Sequence, residues 1–86
     1  MKSVSGREFA RIIERRGWTL LRINGSHHIY GKSGSVVRLS LPIHGDKPLK
    51  TGLLRHLVKL AEIPDEEILP RLLKRLQETL RKRHDL

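Results

Sequence analysis

A change of hydrophobic period at Gly17 constrains this 86-residue chain more than any other feature. Before it, apolar residues recur at helical spacing; from Trp18 to Leu41 they alternate and are rich in strand formers. Within that second stretch Asn24-Gly25 is the strongest short hairpin signal, expected as a type I′ turn, and Ser33-Gly34 is a second one. Two turns between three runs imply a three-stranded antiparallel meander, broken by Pro42. The preceding segment carries a helix start. Ser5-x-x-Glu8 is a capping box, and Val4 can staple onto Phe9 across it. Phe9, Ile12 and Ile13 share a face and Gly17 supplies the stop, so a helix is expected from Gly6 to about Arg16.

Beyond the strands, Thr51 is placed to cap a second helix with Leu53, Leu54, Leu57, Val58 and Ala61 on one face, ended by Pro64. Asp65, Glu66 and Glu67 then suit a further helix N-terminus. Ile68, Leu69, Leu72, Leu73, Leu76 and Leu80 form an apolar stripe over a last helix from about Leu69 to Lys82. The order α-β-β-β-α plus a helical tail makes the fold class α+β, with the helices on one face of the sheet. Residues 1–63 are expected to form one domain, and residues 64–86 a basic amphipathic extension packed on it.

Composition narrows the function. The chain has no cysteine, which removes disulfides and thiolate metal ligands. It opens without the apolar core of a signal peptide and has no run near the roughly 20 residues that cross a bilayer, so a soluble cytoplasmic protein is expected. Eighteen Lys and Arg against nine acids give a formal charge of +9. Such a chain attracts polyanions by counterion release, with nucleic acid first and an acidic protein second among partner classes.

The hairpin register assigns side chains to faces. A two-residue turn at Asn24-Gly25 sets Ile23 opposite Ser26, Arg22 opposite His27 and Leu21 opposite His28. A second turn at Ser33-Gly34 sets Tyr30 opposite Val37 and Ile29 opposite Arg38. One face then holds Leu21, Ile23, His28, Tyr30, Val37, Leu39 and Leu41, and is expected to meet the helices. The other holds Trp18, Leu20, Arg22, His27, Ile29, Val36, Arg38 and Ser40, with His27 between two arginines and open to a ligand.

Several familiar catalytic patterns are absent: H-E-x-x-H, G-x-S-x-G, a Walker-type loop and G-x-G-x-x-G. The acids fall mostly on expected helices, which leaves a carboxylate- or metal-driven nuclease hard to build. Histidines remain, at 27, 28, 44, 56 and 84. Imidazole moves protons near neutral pH. RNA needs little more, since its own 2′-hydroxyl attacks the adjacent phosphate once a base takes its proton, and cationic neighbours stabilise the charge that gathers there. His27 beside Arg22 and Arg38 meets that requirement without metal or cofactor. From spacing alone, a pair of strand histidines with satisfied ring nitrogens is the stronger reading. His56 and His84 read as bystanders. Trp18 and Tyr30 are the candidates for stacking on a base, although Tyr30 reads as core and Trp18 as packing at the sheet edge.

The ordered set Gly17-Trp18, Arg22, Gly25-Ser26-His27-His28-Ile29-Tyr30, Pro42-x-His44-Gly45, Pro48-Leu49-Lys50 and Gly52-Leu53-Leu54-Arg55 resembles the HicA toxins of bacterial toxin–antitoxin modules. The likeness runs from about Val4 to Ile63. It implies a double-stranded-RNA-binding-domain-like fold, messenger RNA interferase activity and inhibition by a HicB-type antitoxin, with operator DNA reached only through that complex. It also implies that the catalytic histidine falls on His27, as in most members, or on His28, as in some. His44, in the P-x-H motif, becomes a further candidate, placed to orient substrate or the leaving oxygen. The chain departs from the family pattern at Leu53, where many members have Thr, and at Glu62, where a Gly usually closes the helix. The long tail is a further departure.

The expectation is therefore an endoribonuclease with His27 as general base or acid. Arg22, Ser26, Arg38 and Lys50 would lie on RNA, with no metal and no cofactor. The alternative is a non-catalytic RNA-binding module of the same fold. A third reading, an interaction protein whose charge serves only an acidic partner, predicts no RNA affinity.

Overall fold

In the computed structural model, which describes residues 4–64, Ser5 opens the first helix, α1 (Gly6–Arg15), through a complete capping box. The Glu8 backbone N–H donates to Ser5 Oγ at 3.1 Å, and the Ser5 N–H donates back to Glu8 Oε1 at 3.0 Å. Val4 and Phe9, on either side of this cap, are both buried in the core. Three strands follow: β1 (Trp18–Asn24), β2 (His27–Lys32) and β3 (Arg38–Pro42). They form one antiparallel sheet in the order β1-β2-β3. The last described element is α2 (Thr51–Ala61). The expected α-β-β-β-α order is thus present, and the fold is α+β and double-stranded-RNA-binding-domain-like. The helix expected from about Leu69 to Lys82 lies outside the described residues.

Both helices pack on one sheet face. Phe9, Ile12 and Ile13 of α1 and Leu54, Leu57 and Ala61 of α2 are buried with Tyr30, Leu39 and Leu41 of the sheet. At about 25 cal/mol per Å² of apolar area removed from water, these side chains supply the main driving force for this small fold.

The register differs from expectation in an instructive way. The first turn is Gly25-Ser26, flanked by the pair Asn24↔His27, in place of Asn24-Gly25. Gly25 has φ +63° while Ser26 is not among the positive-φ residues. A type I′ turn needs two positive φ values and a type II′ turn needs one, at its first central residue, which glycine fills without strain. The second turn is longer. Ser35 N–H donates to Lys32 O at 3.1 Å with Gly34 at φ +81°, a type II geometry, and two further residues, Val36 and Val37, pass before β3. Tyr30 therefore pairs with Leu39 and Ile29 with Ser40. Each error moves the register by two residues, the period of a strand, so the face assignments of His27 and His28 survive both.

A β-bulge does change faces. Between Leu20 and Arg22 the register slips by one, leaving Leu21 without its own partner on β2. Residues before the bulge are inverted relative to expectation. Trp18 turns to the helix side and is buried, whereas Leu21 lies on the open face, beside Gly31. The expected placements of Trp18, Leu20 and Leu21 are corrected on this ground.

The second helix also starts one residue earlier in its capping sense. Lys50 is the N-cap, with no side-chain hydrogen bond, and Thr51 is the first helical residue. At the other end Glu62 takes the left-handed conformation, φ 55°, the one non-glycine residue at positive φ among those described. An L side chain there costs on the order of 1 kcal/mol relative to glycine. Glu62→Gly is expected to stabilise the protein by about 0.5–1 kcal/mol, read as a raised midpoint in urea with unchanged slope.

Tyr30 is anchored between sheet and helix. Its hydroxyl donates to Glu14 Oε2 at 2.7 Å. Burial first, and then the hydrogen bond and charge of Glu14, push its pKa up to about 12. A pKa raised by folding stabilises the native state fully below the unfolded value of about 10, and that stabilisation is lost as pH rises through the folded value. Since the chain has a single tyrosine, phenolate absorbance reports it directly. The midpoint is expected about two units higher in native protein than in denaturant; coincident curves would refute the anchored hydroxyl.

Candidate active site

His27 is the first residue of β2, set directly after the Gly25-Ser26 turn, and it is exposed. Its cross-strand partners are Asn24 on β1 and Pro42 on β3. Side chains of paired residues share a face, so His27 stands with exposed Arg22 and Ser40, and away from both helices. Arg22 pairs with Ile29, which places it diagonal to His27, within reach of a long side chain. His28 points the other way. It pairs with Ile23 and Leu41 on the helix side and is half-buried.

The expected flank of two arginines is corrected to one. Arg38 pairs with Gly31, at the far end of β2 from His27. Its guanidinium donates to the carbonyls of Val37 at 3.1 Å and Ser35 at 3.4 Å, closing the long second turn. The five-residue connection in place of a two-residue turn carries Arg38 away from the imidazole.

His44 comes to the same end of the sheet as His27. It lies two residues beyond Pro42, the cross-strand partner of His27, and is exposed. The Ile43 N–H donates to Ser26 O at 2.9 Å, tying the hairpin turn to this segment. His44 O in turn accepts from the Lys47 N–H at 3.0 Å, which makes a turn of residues 44–47. Arg7 of α1 reaches over to Asp46 at 3.4 Å, an exposed pair worth little in water. Lys50 is exposed at the start of α2, and Ser26 is half-buried.

One residue of this corner carries no sequence motif. A β-carbon on Gly6 would run into the carbonyl oxygen of Pro42 and crowd Ile43 at 3.1 Å. The first turn of α1 therefore seats directly on the backbone that leads to His44. A glycine at the first position of a capped helix was the available hint; the close approach becomes visible only once α1 crosses the end of β3.

The stacking candidates are not free. Tyr30 is buried with its hydroxyl engaged, and Trp18 is buried beneath Lys32, whose Nζ lies 5.9 Å from the ring centroid. The Trp18 Nε1 has no hydrogen-bond partner. His56 is exposed on α2. Among the described residues no three His, Asp or Glu side chains are grouped to hold a metal ion, and no helix is long and apolar enough to cross a membrane.

This arrangement offers an open sheet face with an exposed imidazole, a guanidinium diagonal to it and a second imidazole at the same end. It is a surface suited to an extended anionic chain and to proton transfer without deep enclosure. Comparison with curated proteins returns no match. A protein-family model described as the HicA toxin of bacterial toxin–antitoxin systems matches residues 6–63, more than half of the chain and all of the described elements. With the α-β-β-β-α order and the match running unbroken from α1 through α2, the chain belongs to the HicA toxin family.

Proposed function

We propose that this toxin is an endoribonuclease that cleaves messenger RNA in the cytoplasm by metal-independent histidine acid/base catalysis and is neutralised by a HicB-type antitoxin. The observation that carries the reading is the exposure of His27 on the helix-free face, diagonal to Arg22 and at the end of the sheet shared with His44. His27 takes the proton of a ribose 2′-hydroxyl. The 2′-oxygen attacks the neighbouring phosphorus, the bond from phosphorus to the 5′-oxygen breaks, and that oxygen takes a proton. His44, at the same end of the sheet, is the candidate donor of that proton, and the proton taken up by His27 returns to solvent. Arg22 stabilises the phosphorane-like charge, and Ser26 and Lys50 contact the chain on either side. Arg38, held against its own loop, contributes at most a distant phosphate contact.

Purified protein is expected to cut RNA in the presence of EDTA and to leave 2′,3′-cyclic phosphate ends. Cleavage abolished by EDTA and restored by a divalent cation would overturn the mechanism. A non-catalytic RNA-binding module on this fold predicts instead that His27→Ala leaves the cellular effect intact. On that reading, loss of Arg22 or Lys50 flattens the salt dependence of binding by about one unit of slope each.

A further inference from the structure

β1 is an edge strand, and it is the apolar one. Leu20, Leu21 and Ile23 are 44%, 52% and 56% exposed, although each belongs to a run of strand formers. The bulge places Leu21 on one face while Ile23 lies on the other, so both sides of the edge are greasy. A folded protein normally blunts such an edge with charge or covers it, because unpaired strand N–H and C=O groups beside apolar side chains are a template for another strand. On β1 among the described residues nothing pairs along the outer side.

We propose that the outer edge of β1 is the docking site for an extended, acidic and apolar segment of the antitoxin, which adds a fourth strand to the sheet; this rests on the toxin reading above. Charge selects the occupant. From Arg15 to Gly45 the sequence contains no Asp or Glu, while Arg15, Arg16, Arg22, Lys32 and Arg38 all fall within it. The whole sheet therefore lacks a carboxylate, and Arg22 stands in the middle of the edge, exposed and with no acid on any strand to pair with. A strand carrying acids opposite Arg22, with apolar residues opposite Leu20, Leu21 and Ile23, satisfies both features. A second copy of this chain does not. Antiparallel self-pairing would lay two carboxylate-free cationic sheets side by side, whereas the bulge at Leu21 interrupts the ladder for either occupant and leaves charge to decide between them. Strand addition here would also bring the antitoxin against Arg22, the cation diagonal to His27, so that binding and inhibition are one event.

The test uses purified full-length chain and the HicB-type antitoxin encoded beside it. Hydrogen exchange of the wild-type complex should show the amides of β1 slowed, with those of α2 unchanged. Leu20→Glu and Ile23→Glu should each weaken antitoxin binding roughly 100-fold, while the free variants still cut RNA and melt cooperatively. Antitoxin that binds wild type and both variants alike, with β1 exchange unaltered, overturns this docking site and leaves the toxin reading standing. Antitoxin that fails to bind wild type overturns both. A wild-type dimer in light scattering that Ile23→Glu dissociates would assign the edge to a second copy and overturn the proposal as well. The exchange measurement needs no variant, so a folding defect in either one does not shelter the proposal.

Discussion

Cells induced to make the His27→Ala protein should keep growing and keep their messenger RNA, where the wild-type chain is expected to arrest growth. Cleavage in vitro should fall by about 10²–10⁴-fold, the range that a positioned general base contributes. His28→Ala serves as the contrast. That ring is half-buried between Ile23 and Leu41 on the helix side, so its loss is expected to lower stability modestly and leave cleavage within about tenfold. His44→Ala should fall between the two. Growth arrest by the His27→Ala protein, together with inactivity of His28→Ala, would move the base to the other face of the sheet.

The second large effect is on stability. Gly6→Ala should destabilise the protein by about 1–3 kcal/mol, because the new β-carbon meets a backbone carbonyl that cannot swing aside. For a domain of this size that lowers the melting temperature by roughly 5–20 °C. Gly52→Ala is the matched control. It sits in α2 with nothing within 4 Å of an added β-carbon, and alanine in place of glycine in a helix stabilises by about 0.5–1 kcal/mol. Equal melting temperatures for the two variants would show that α1 does not seat on β3 as described. Residual Gly6→Ala protein should also cleave RNA poorly, since the displaced backbone is the one leading to His44.

The fold was legible because its signals are local. A capping box, a change of period and two turn dipeptides are each read within a few residues, and α1, the sheet and α2 follow from them. The side of the sheet taken by His27 was legible for a less obvious reason. A hairpin turn misplaced by one residue shifts the register by two and returns every side chain to its face, so Asn24-Gly25 in place of Gly25-Ser26 did no harm there. What was hidden depends on odd insertions and on contacts between distant segments. The bulge at Leu21 has no dipeptide signature, yet it turns Trp18 inward and frees Leu21. The length of the second turn, within which the Arg38 guanidinium donates to two carbonyls, removed one of the two expected cations from beside His27. The seat of Gly6 on Pro42 is a meeting of residues far apart in the chain. Glu62 shows the opposite case: its departure from the family's glycine was visible in the sequence, and the left-handed backbone there gives it a physical meaning.

The corner where Val4 O accepts from the Leu49 N–H, Ser5 bridges Pro48 and Ser26 O accepts from the Ile43 N–H has one more implication. Two of these contacts fasten the segment before α2 to the very start of the fold, and the third ties the hairpin turn to the exit of β3. That clasp cannot close on a ribosome until residues through Leu49 have been released, so the fold is fastened at its start only after the whole sheet has been made.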